Sequence, residues 1–175
     1  MNLKSIFLLS LLLSLIACKT NHQSLESEKQ ILSIKNSCPE DGNCNFEVIE
    51  NRKLDIKTDG TGALYPQLSD GKSKVLKFEY NSDQDPRIAD DKYTEIIYIE
   101  INPKIQNLRL EGKDLKDVQI LFGRLCFCRE QSGYFTVEKG VFQIETNKDK
   151  SVTYTLEFEV PGIPQKIKEF SITNW

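Results

Sequence analysis

Apolar and polar side chains alternate from residue 152 to residue 160, and this alternation is the strongest constraint on how the chain folds. The apolar positions are Val152, Tyr154, Leu156, Phe158 and Val160. A period of two puts successive side chains on opposite faces of an extended strand, so one face is buried and the other is in water. Comparable runs occur at residues 76–80 and 97–101, and no segment after Asn36 keeps a 3.6-residue period. About ten such segments predict an all-β fold, either an antiparallel β-sandwich or a small barrel.

Two polar steps between these segments are predicted to be hairpin turns. Residues 51–53 separate apolar pairs at 46–48 and 54–56, and this spacing suits a hairpin link. Lys139-Gly140 separates two further strand-like runs at hairpin spacing. Each step therefore predicts two short neighbouring strands rather than one long strand.

The amino-terminal residues have the three parts of a secretory signal peptide. Lys4 supplies a positive charge, residues 6–16 form a predominantly apolar run, and Ala17 is a small residue before Cys18. The run is too short to span a bilayer, which takes about 20 apolar residues. Residues 1–17 are therefore predicted to be removed, which places the remaining chain in an extracytoplasmic, oxidising compartment.

The ending Leu15-Ile16-Ala17-Cys18 resembles the lipobox of bacterial lipoproteins. The resemblance implies that the Cys18 thiol receives a diacylglycerol and that acyl chains hold the mature protein to a membrane. Two or three acyl chains anchor a protein stably, whereas a single chain binds reversibly. Lys19 stands where an Asp favours inner-membrane retention in many Gram-negative bacteria. The resemblance therefore implies the outer membrane, on its periplasmic or cell-surface face.

The predicted mature chain divides into a tether and one domain. Residues 18–36 are polar and lack Pro and Gly, which favours a flexible lipid-anchored tether, with a weak amphipathic helix as the alternative. Residues 37–175 are predicted to form the β domain, which is long enough for its own core. The whole chain has 23 Lys and Arg against 26 Asp and Glu. This balance argues against binding to nucleic acid, which requires a basic patch.

Four cysteines remain after Cys18, and an even number in an exported chain indicates disulfides. They are Cys38, Cys44, Cys126 and Cys128. Two residues apart in a predicted strand, Cys126 and Cys128 would have Cβ atoms roughly 6.6 Å apart, whereas a disulfide needs about 3.8 Å. We therefore expect both to pair with Cys38 and Cys44, while local pairing within each couple stays open. Binding of Zn²⁺ or Cu(I) by four thiolates is a further alternative.

The stretch from Leu121 to Arg129, followed by Gly133-Tyr134-Phe135, resembles a stretch in small lipoproteins of flavobacteria. The run from Cys38 to Cys44 resembles the same group. The resemblance agrees with the predicted compartment and implies no activity. Within the first stretch, Arg124 and Arg129 are candidate ligands for an anionic group, although arginines at a sheet edge more often pair with carboxylates.

Motifs for catalysis or for a cofactor are missing from the sequence. It has no G-x-S-x-G elbow, P-loop or H-E-x-x-H, and its only histidine, His22, lies in the predicted tether. A carboxylate-based hydrolase is the remaining enzymatic alternative, because it needs only two carboxylates at the right distance. We therefore expect an extracytoplasmic binding or structural module for an envelope protein or a glycan, with no cofactor. The alternative is a metal-handling protein that uses the four cysteines.

Exposed aromatic side chains would favour a binding role, because they bury a large area against a partner. The candidates are Tyr65, Tyr93, Tyr134 and Trp175. The sequence gives no order of preference among them.

Overall fold

The computed structural model describes residues 30–31 and 33–175, and nine β-strands in this part of the chain form two antiparallel sheets. The strands are β1 (Gly42–Thr58), β2 (Leu64–Ser82), β3 (Thr94–Ile101), β4 (Leu108–Glu111), β5 (Gln119–Leu125), β6 (Gly133–Thr136), β7 (Lys139–Thr146), β8 (Val152–Glu159) and β9 (Glu169–Asn174). A 3₁₀ helix spans Gly112–Asp117. The predicted all-β class is confirmed, and the two sheets make the fold sandwich-like. The predicted signal peptide and Cys18 lie outside the described residues.

The two sheets differ in curvature. One has the strand order β1-β2-β3-β5-β6, and the other has the order β4-β7-β8-β9. The 19-residue strand β2 pairs with β1 and β3, and at Leu64 it also pairs with Tyr134 of β6. This extra pairing curls the five-stranded sheet back on itself, so the sandwich has one partly closed sheet.

The main core lies between the sheets and follows the alternation of the strands. Phe78 of β2 stacks on Phe170 of β9, with ring centroids 4.9 Å apart. The side chains of β3 that face this core are Ile97, Ile99 and Ile101. A second cluster on the opposite face of the five-stranded sheet is formed by Leu54, Val75 and Leu121. Because burial of one large apolar side chain contributes about 1.5–3 kcal/mol, these clusters are the main stabilising element of the fold.

The hairpins predicted at residues 51–53 and 139–140 are wrong. β1 continues through the first step, with a register shift between Glu50 and Arg52 and Asn51 at φ 56°. Between the pairs that Glu50 and Arg52 form with β2, β1 has one residue, Asn51, and β2 has three, residues 71–73, so the irregularity is a bulge in the pairing and β1 continues without reversing. Residues 139–140 begin β7, which belongs to a different sheet from β6, so the chain changes sheets at this step.

The segment before β1 lies along the edge strand β9, and we call residues 30–31 and 33–41 the N-terminal strap. The Ser37 hydroxyl donates to the carbonyl of Ser171 (3.2 Å) and accepts from its N–H (3.0 Å), and Ile34 packs against the main core. Residues 30–31 and 33–36 are helical. The described end of the predicted tether is therefore helical and packs against the domain, while residues 18–29 lie outside the described residues.

Helices are few in this fold. Within residues 30–31 and 33–175, no helix has the length and hydrophobicity needed to cross a bilayer.

Candidate functional site

The four cysteines form two local disulfides rather than bonds between the two couples. Cys38 bonds to Cys44 with a Cα–Cα distance of 5.7 Å, and Cys126 bonds to Cys128 with a Cα–Cα distance of 5.1 Å. The expected cross pairing is wrong because β5 ends at Leu125, before Cys126. The chain bends there, and the two sulfur atoms come closer than an extended strand would allow.

The Cys126–Cys128 disulfide presents Phe127 to solvent. Phe127 is 87% exposed, more than any other large hydrophobic residue in the described chain. We call residues 126–132 the displayed loop. Its base is closed by the Ser132 hydroxyl, which accepts a hydrogen bond from the N–H of Cys126 at 3.3 Å. Contacts within the domain do not explain why a disulfide-closed loop holds the Phe127 side chain in water. Exposed apolar groups of this kind can mark interaction sites.

A groove of about 410 Å³ lies beside Phe127. Its apolar lining comes from Ile96 of β3 and Leu125 of β5, and Asp90 and Lys92 border it from the loop between β2 and β3. The other lining residues are Glu79, Asn81, Thr94 and Cys126. We call the displayed loop and this groove together the Phe127 surface. An aromatic ring, an apolar floor and a charged rim side by side suit contact with another molecule.

The Glu79 carboxylate gives this groove a fixed negative charge. Asn81 donates a hydrogen bond to Glu79 at 2.9 Å, and Lys77 forms an ion pair with it at 2.6 Å. The hydrogen bond from Asn81 and the Lys77 ammonium lower the pKa of Glu79 below its ordinary value. Glu79 is therefore ionised at neutral pH, whereas a general acid needs a raised pKa.

Arg124 holds the displayed loop from inside the domain. The residue is only 7% exposed. Its Nη1 donates to the carbonyl of Gln131 at 3.0 Å, and its Nε donates to the Tyr93 hydroxyl at 3.1 Å. Arg124 therefore makes internal contacts, and its role in binding an anionic ligand stays a prediction. Arg129 is exposed in the displayed loop, and its role in ligand binding stays a prediction.

Glu95 is a fully buried carboxylate beside the main core, at 0% exposure. Its Oε1 and Oε2 accept hydrogen bonds from the backbone N–H groups of Lys166 and Ile167, each at 2.7 Å, and the Tyr93 hydroxyl also donates to Oε1. A buried charge requires such partners, because removing it from water is costly. Glu95 thereby joins β3 of one sheet to the segment that leads into β9 of the other.

The polar contacts around Glu95 continue to the N-terminal strap. Lys166 Nζ donates to Asp41 Oδ2 at 2.5 Å, and the Tyr80 hydroxyl donates to Asp41 Oδ1 at 2.8 Å. The hydrogen bonds from Lys166 and then Tyr80 lower the pKa of Asp41. We call this set the polar chain, and its members are Asp41, Lys166, Glu95, Tyr93, Arg124 and Gln131. It links the loop closed by Cys38–Cys44 to the displayed loop.

The metal-handling alternative requires the four cysteines to act together as thiolates. The structure pairs them in two separate disulfides, and a disulfide sulfur is not a thiolate ligand. Among the described residues, no three Cys, His, Asp or Glu side chains are grouped to hold a metal ion. The geometry therefore offers this alternative no support.

Phe127, the most exposed aromatic residue of the described chain, is not among the candidates taken from the sequence, whereas the candidate Tyr65 is partly exposed. Tyr65 is 43% exposed on the β1–β2 hairpin, Tyr93 belongs to the polar chain, and Tyr134 packs against the second cluster. Phe127 looks in the sequence like a strand residue that favours extended backbone. The signal that identifies it is its place between two cysteines, once those cysteines are known to bond to each other.

Comparisons of this chain with protein-family models, with curated proteins and with solved structures found no match. The functional argument therefore depends on the residues and their geometry. We start from the Phe127 surface, because Phe127 is the most exposed large hydrophobic residue of the described chain.

Proposed function

We propose that this chain is a lipid-anchored binding module of the bacterial cell envelope, which holds a protein partner at the Phe127 surface. In this proposal residues 1–17 are removed, and acyl chains on Cys18 hold the domain at the outer membrane, facing the periplasm or the cell exterior. The observation that carries the binding role is the 87% exposure of Phe127 in a disulfide-closed loop. Burial of this ring against a partner removes its apolar surface from water, which stabilises the complex.

The order of the displayed loop supports a binding role. The Cys126–Cys128 disulfide, the Ser132 hydrogen bond and the Arg124–Gln131 hydrogen bond fix the loop before a partner arrives. Prior ordering lowers the entropic cost of association. We expect Phe127 to be the anchor residue, while the groove receives an apolar side chain of the partner and the charged rim sets its orientation.

Two features support an extracytoplasmic location. The ending at Cys18 resembles a lipobox, and the predicted signal peptide precedes it. Disulfides persist in the periplasm and outside the cell and are rare in the cytosol, so the two disulfides fit the same compartment.

Mass spectrometry of the native protein tests the anchor. We expect an amino terminus at Cys18 that carries two or three acyl chains. A Cys18→Ala variant should lose the acyl chains and leave the membrane fraction. Recovery of an unacylated chain that still begins at Met1 would refute the proposed address.

Photo-crosslinking in intact cells tests the binding role. A photoreactive phenylalanine analogue at position 127 should capture one major protein, and the same analogue at the exposed position Glu157 on the other sheet should not. With the captured protein purified, Phe127→Ala should weaken binding tenfold or more, as expected for an anchor residue. Equal capture from both positions, or unchanged affinity of the Phe127→Ala variant, would refute the role of this surface.

A further inference from the structure

The Cys126–Cys128 disulfide has less packing around it than the other disulfide. All four cysteines are partly exposed, but only Cys38 and Cys44 pack against the main core. Cys126 and Cys128 follow the end of β5 and belong to neither hydrophobic cluster of the described chain. Exposed disulfides are in general more easily reduced than buried ones, and they are more often catalytic or regulatory. The displayed loop therefore holds the more reactive of the two bonds.

The fold gives the Cys126–Cys128 bond little protection against reduction. The effect of a disulfide on folding and the effect of folding on that disulfide are the same free energy, because the two equilibria are linked. Only Phe127 separates the two cysteines, so their bond closes a very short loop and constrains the unfolded chain little. A bond that stabilises the fold weakly is stabilised weakly by the fold in return. Cys38–Cys44 closes a longer loop against the core and gains more from folding.

A groove that suits a polypeptide segment lies directly beside this bond. Cys126 itself lines the groove, together with Phe127 and the apolar floor of Ile96 and Leu125. A segment that inserts an apolar side chain there brings its neighbouring residues close to Cys126. Cys38 also borders a groove, but that groove runs between the N-terminal strap and the strands β8 and β9, and its lining is mainly polar. An apolar docking groove is therefore a feature of the displayed disulfide.

The base of the displayed loop has attachments to the domain that do not depend on the disulfide. The N–H of Cys126 donates to the Ser132 hydroxyl at 3.3 Å, and Arg124 Nη1 donates to the carbonyl of Gln131 at 3.0 Å. These two hydrogen bonds involve no sulfur atom. After reduction the base of the loop therefore stays beside the groove, where the disulfide can form again.

We propose that Cys126–Cys128 is a thiol–disulfide exchange site, which transfers its disulfide to two cysteine thiols of the protein held at the Phe127 surface. This inference rests on the protein partner of the proposed function, and it gives that partner a chemical class, a chain with a pair of reduced cysteines. The Phe127 surface supplies the docking place, and the disulfide beside it supplies the reaction.

The exchange has two steps and needs no other oxidant. A partner thiolate attacks the Cys126 sulfur, a bond between the partner and Cys126 forms, and the Cys126–Cys128 bond breaks. The electron pair leaves on the Cys128 sulfur, which takes a proton from water. The second partner thiolate then attacks the partner sulfur of the mixed disulfide, and Cys126 leaves as a thiolate. The partner dithiol is thereby oxidised to a disulfide, and Cys126 and Cys128 are reduced to two thiols.

Equilibration of the full chain with glutathione tests the reactivity of the bond. Trypsin releases each disulfide within one peptide, residues 36–52 and residues 125–129, so mass spectrometry after alkylation of free thiols measures both bonds in one sample. We expect half of Cys126–Cys128 to be reduced at a ratio of reduced to oxidised glutathione about tenfold lower than Cys38–Cys44 requires. Equal ratios, or earlier reduction of Cys38–Cys44, would overturn the exchange and leave the binding role of the Phe127 surface standing.

Oxidation of a short peptide with two cysteines next to a leucine tests the docking place. We expect Phe127→Ala to slow oxidation of this peptide about tenfold, as for the loss of an anchor residue, and to leave the rate with glutathione unchanged. The matched control is Tyr65→Ala, which removes an exposed aromatic ring outside the groove and should oxidise the peptide at the original rate. Equal peptide rates for the two variants would overturn the proposed substrate.

Single-cysteine variants in intact cells separate failure of the exchange from failure of the binding role. The Cys126 thiol of Cys128→Ser can attack the disulfide of an oxidised partner, and Cys128 is no longer there to release the mixed disulfide. We expect this variant to capture the same protein as the photoreactive analogue at position 127, and Cys126→Ser to capture less of it. A protein captured at position 127 but not by Cys128→Ser would refute the exchange and retain the binding role. A mixed disulfide without capture at position 127 would refute the Phe127 surface as the binding site.

Discussion

The two disulfides close short loops in different surroundings. Cys38–Cys44 packs against the main core and ties the N-terminal strap to β1. Cys126–Cys128 follows the end of β5 and places Phe127 in water. The first bond has a structural role that its contacts explain. The second holds an exposed ring, and we have proposed a binding role for it.

The polar chain joins these two regions through the interior. It begins at Asp41 in the loop of the first disulfide and ends at Gln131 in the displayed loop, with Glu95 at its centre. The partners of Glu95 are Tyr93, directly before β3, and Lys166 and Ile167, in the segment that leads into β9, so Glu95 connects segments next to both sheets. The comparison predicts large stability effects along the buried contacts and small ones at Phe127.

The largest effect is expected at Glu95, on which both regions depend. Both of its oxygens accept backbone N–H groups, so Glu95→Gln places an amide N–H₂ against one of these donors. The buried contacts are then broken, and we expect a loss of about 3 kcal/mol in the free energy of unfolding, measured by denaturant titration. The control is Glu157→Gln on the exposed face of β8, which should change stability by about 0.5 kcal/mol or less. Equal losses for the two variants would show that the polar chain does not hold the sheets together.

Removal of the strap disulfide should have the next largest effect. Cys38→Ser with Cys44→Ser frees a loop whose ends are six residues apart. The chain-entropy relation gives a loss of about 2 kcal/mol for a loop of this length. A loss of this size corresponds to a decrease in Tm of about 4–8 °C, measurable by scanning calorimetry. An unchanged Tm would contradict the structural role assigned to this bond.

The displayed-loop disulfide should matter less to stability. Cys126→Ser with Cys128→Ser opens a loop whose ends are two residues apart and which lies outside the core. We expect a loss of about 1 kcal/mol or less. The same change should reduce photo-crosslinking from position 127 in cells, because the ring is no longer fixed. A loss larger than that of the strap variant would reverse the comparison.

The smallest effect on stability is expected at Phe127 itself. Phe127→Ala removes a side chain with few internal contacts, so the free energy of unfolding should change by about 0.5 kcal/mol or less. The matched substitution Phe170→Ala in the core should cost about 3–5 kcal/mol. A clear decrease in the Tm of the Phe127→Ala variant would mean that the ring packs internally. Phe127 would then not belong to an exposed binding surface.

The sequence predicts the fold class and the buried faces of several strands well. The alternation at residues 152–160 and 97–101 appears in the structure as β8 and β3, with Tyr154 and Ile99 in the main core. This information is local, because the side-chain period of a strand depends only on its own residues. The acylation of Cys18 stays a prediction, and it also depends on a local pattern, the ending at residues 15–18.

Strand boundaries and cysteine pairing are predicted less well. Residues 51–53 resemble a turn in sequence, but the long partner strand β2 continues opposite them, and the chain forms a bulge instead. The predicted distance between Cys126 and Cys128 assumed an extended strand that in fact ends at Leu125. In both places the conformation depends on neighbours that are distant in sequence.

The sequence by itself determined that this chain forms β-strands with alternating faces, because that property follows from the order of apolar and polar residues. Only the tertiary structure decided that Glu95 is buried and Phe127 is exposed. Glu95 is buried because Lys166 and Ile167, more than 70 residues away, supply the N–H donors that a buried carboxylate needs. Phe127 is exposed because the disulfide and Arg124 hold its loop outside the core, against the preference of its own side chain.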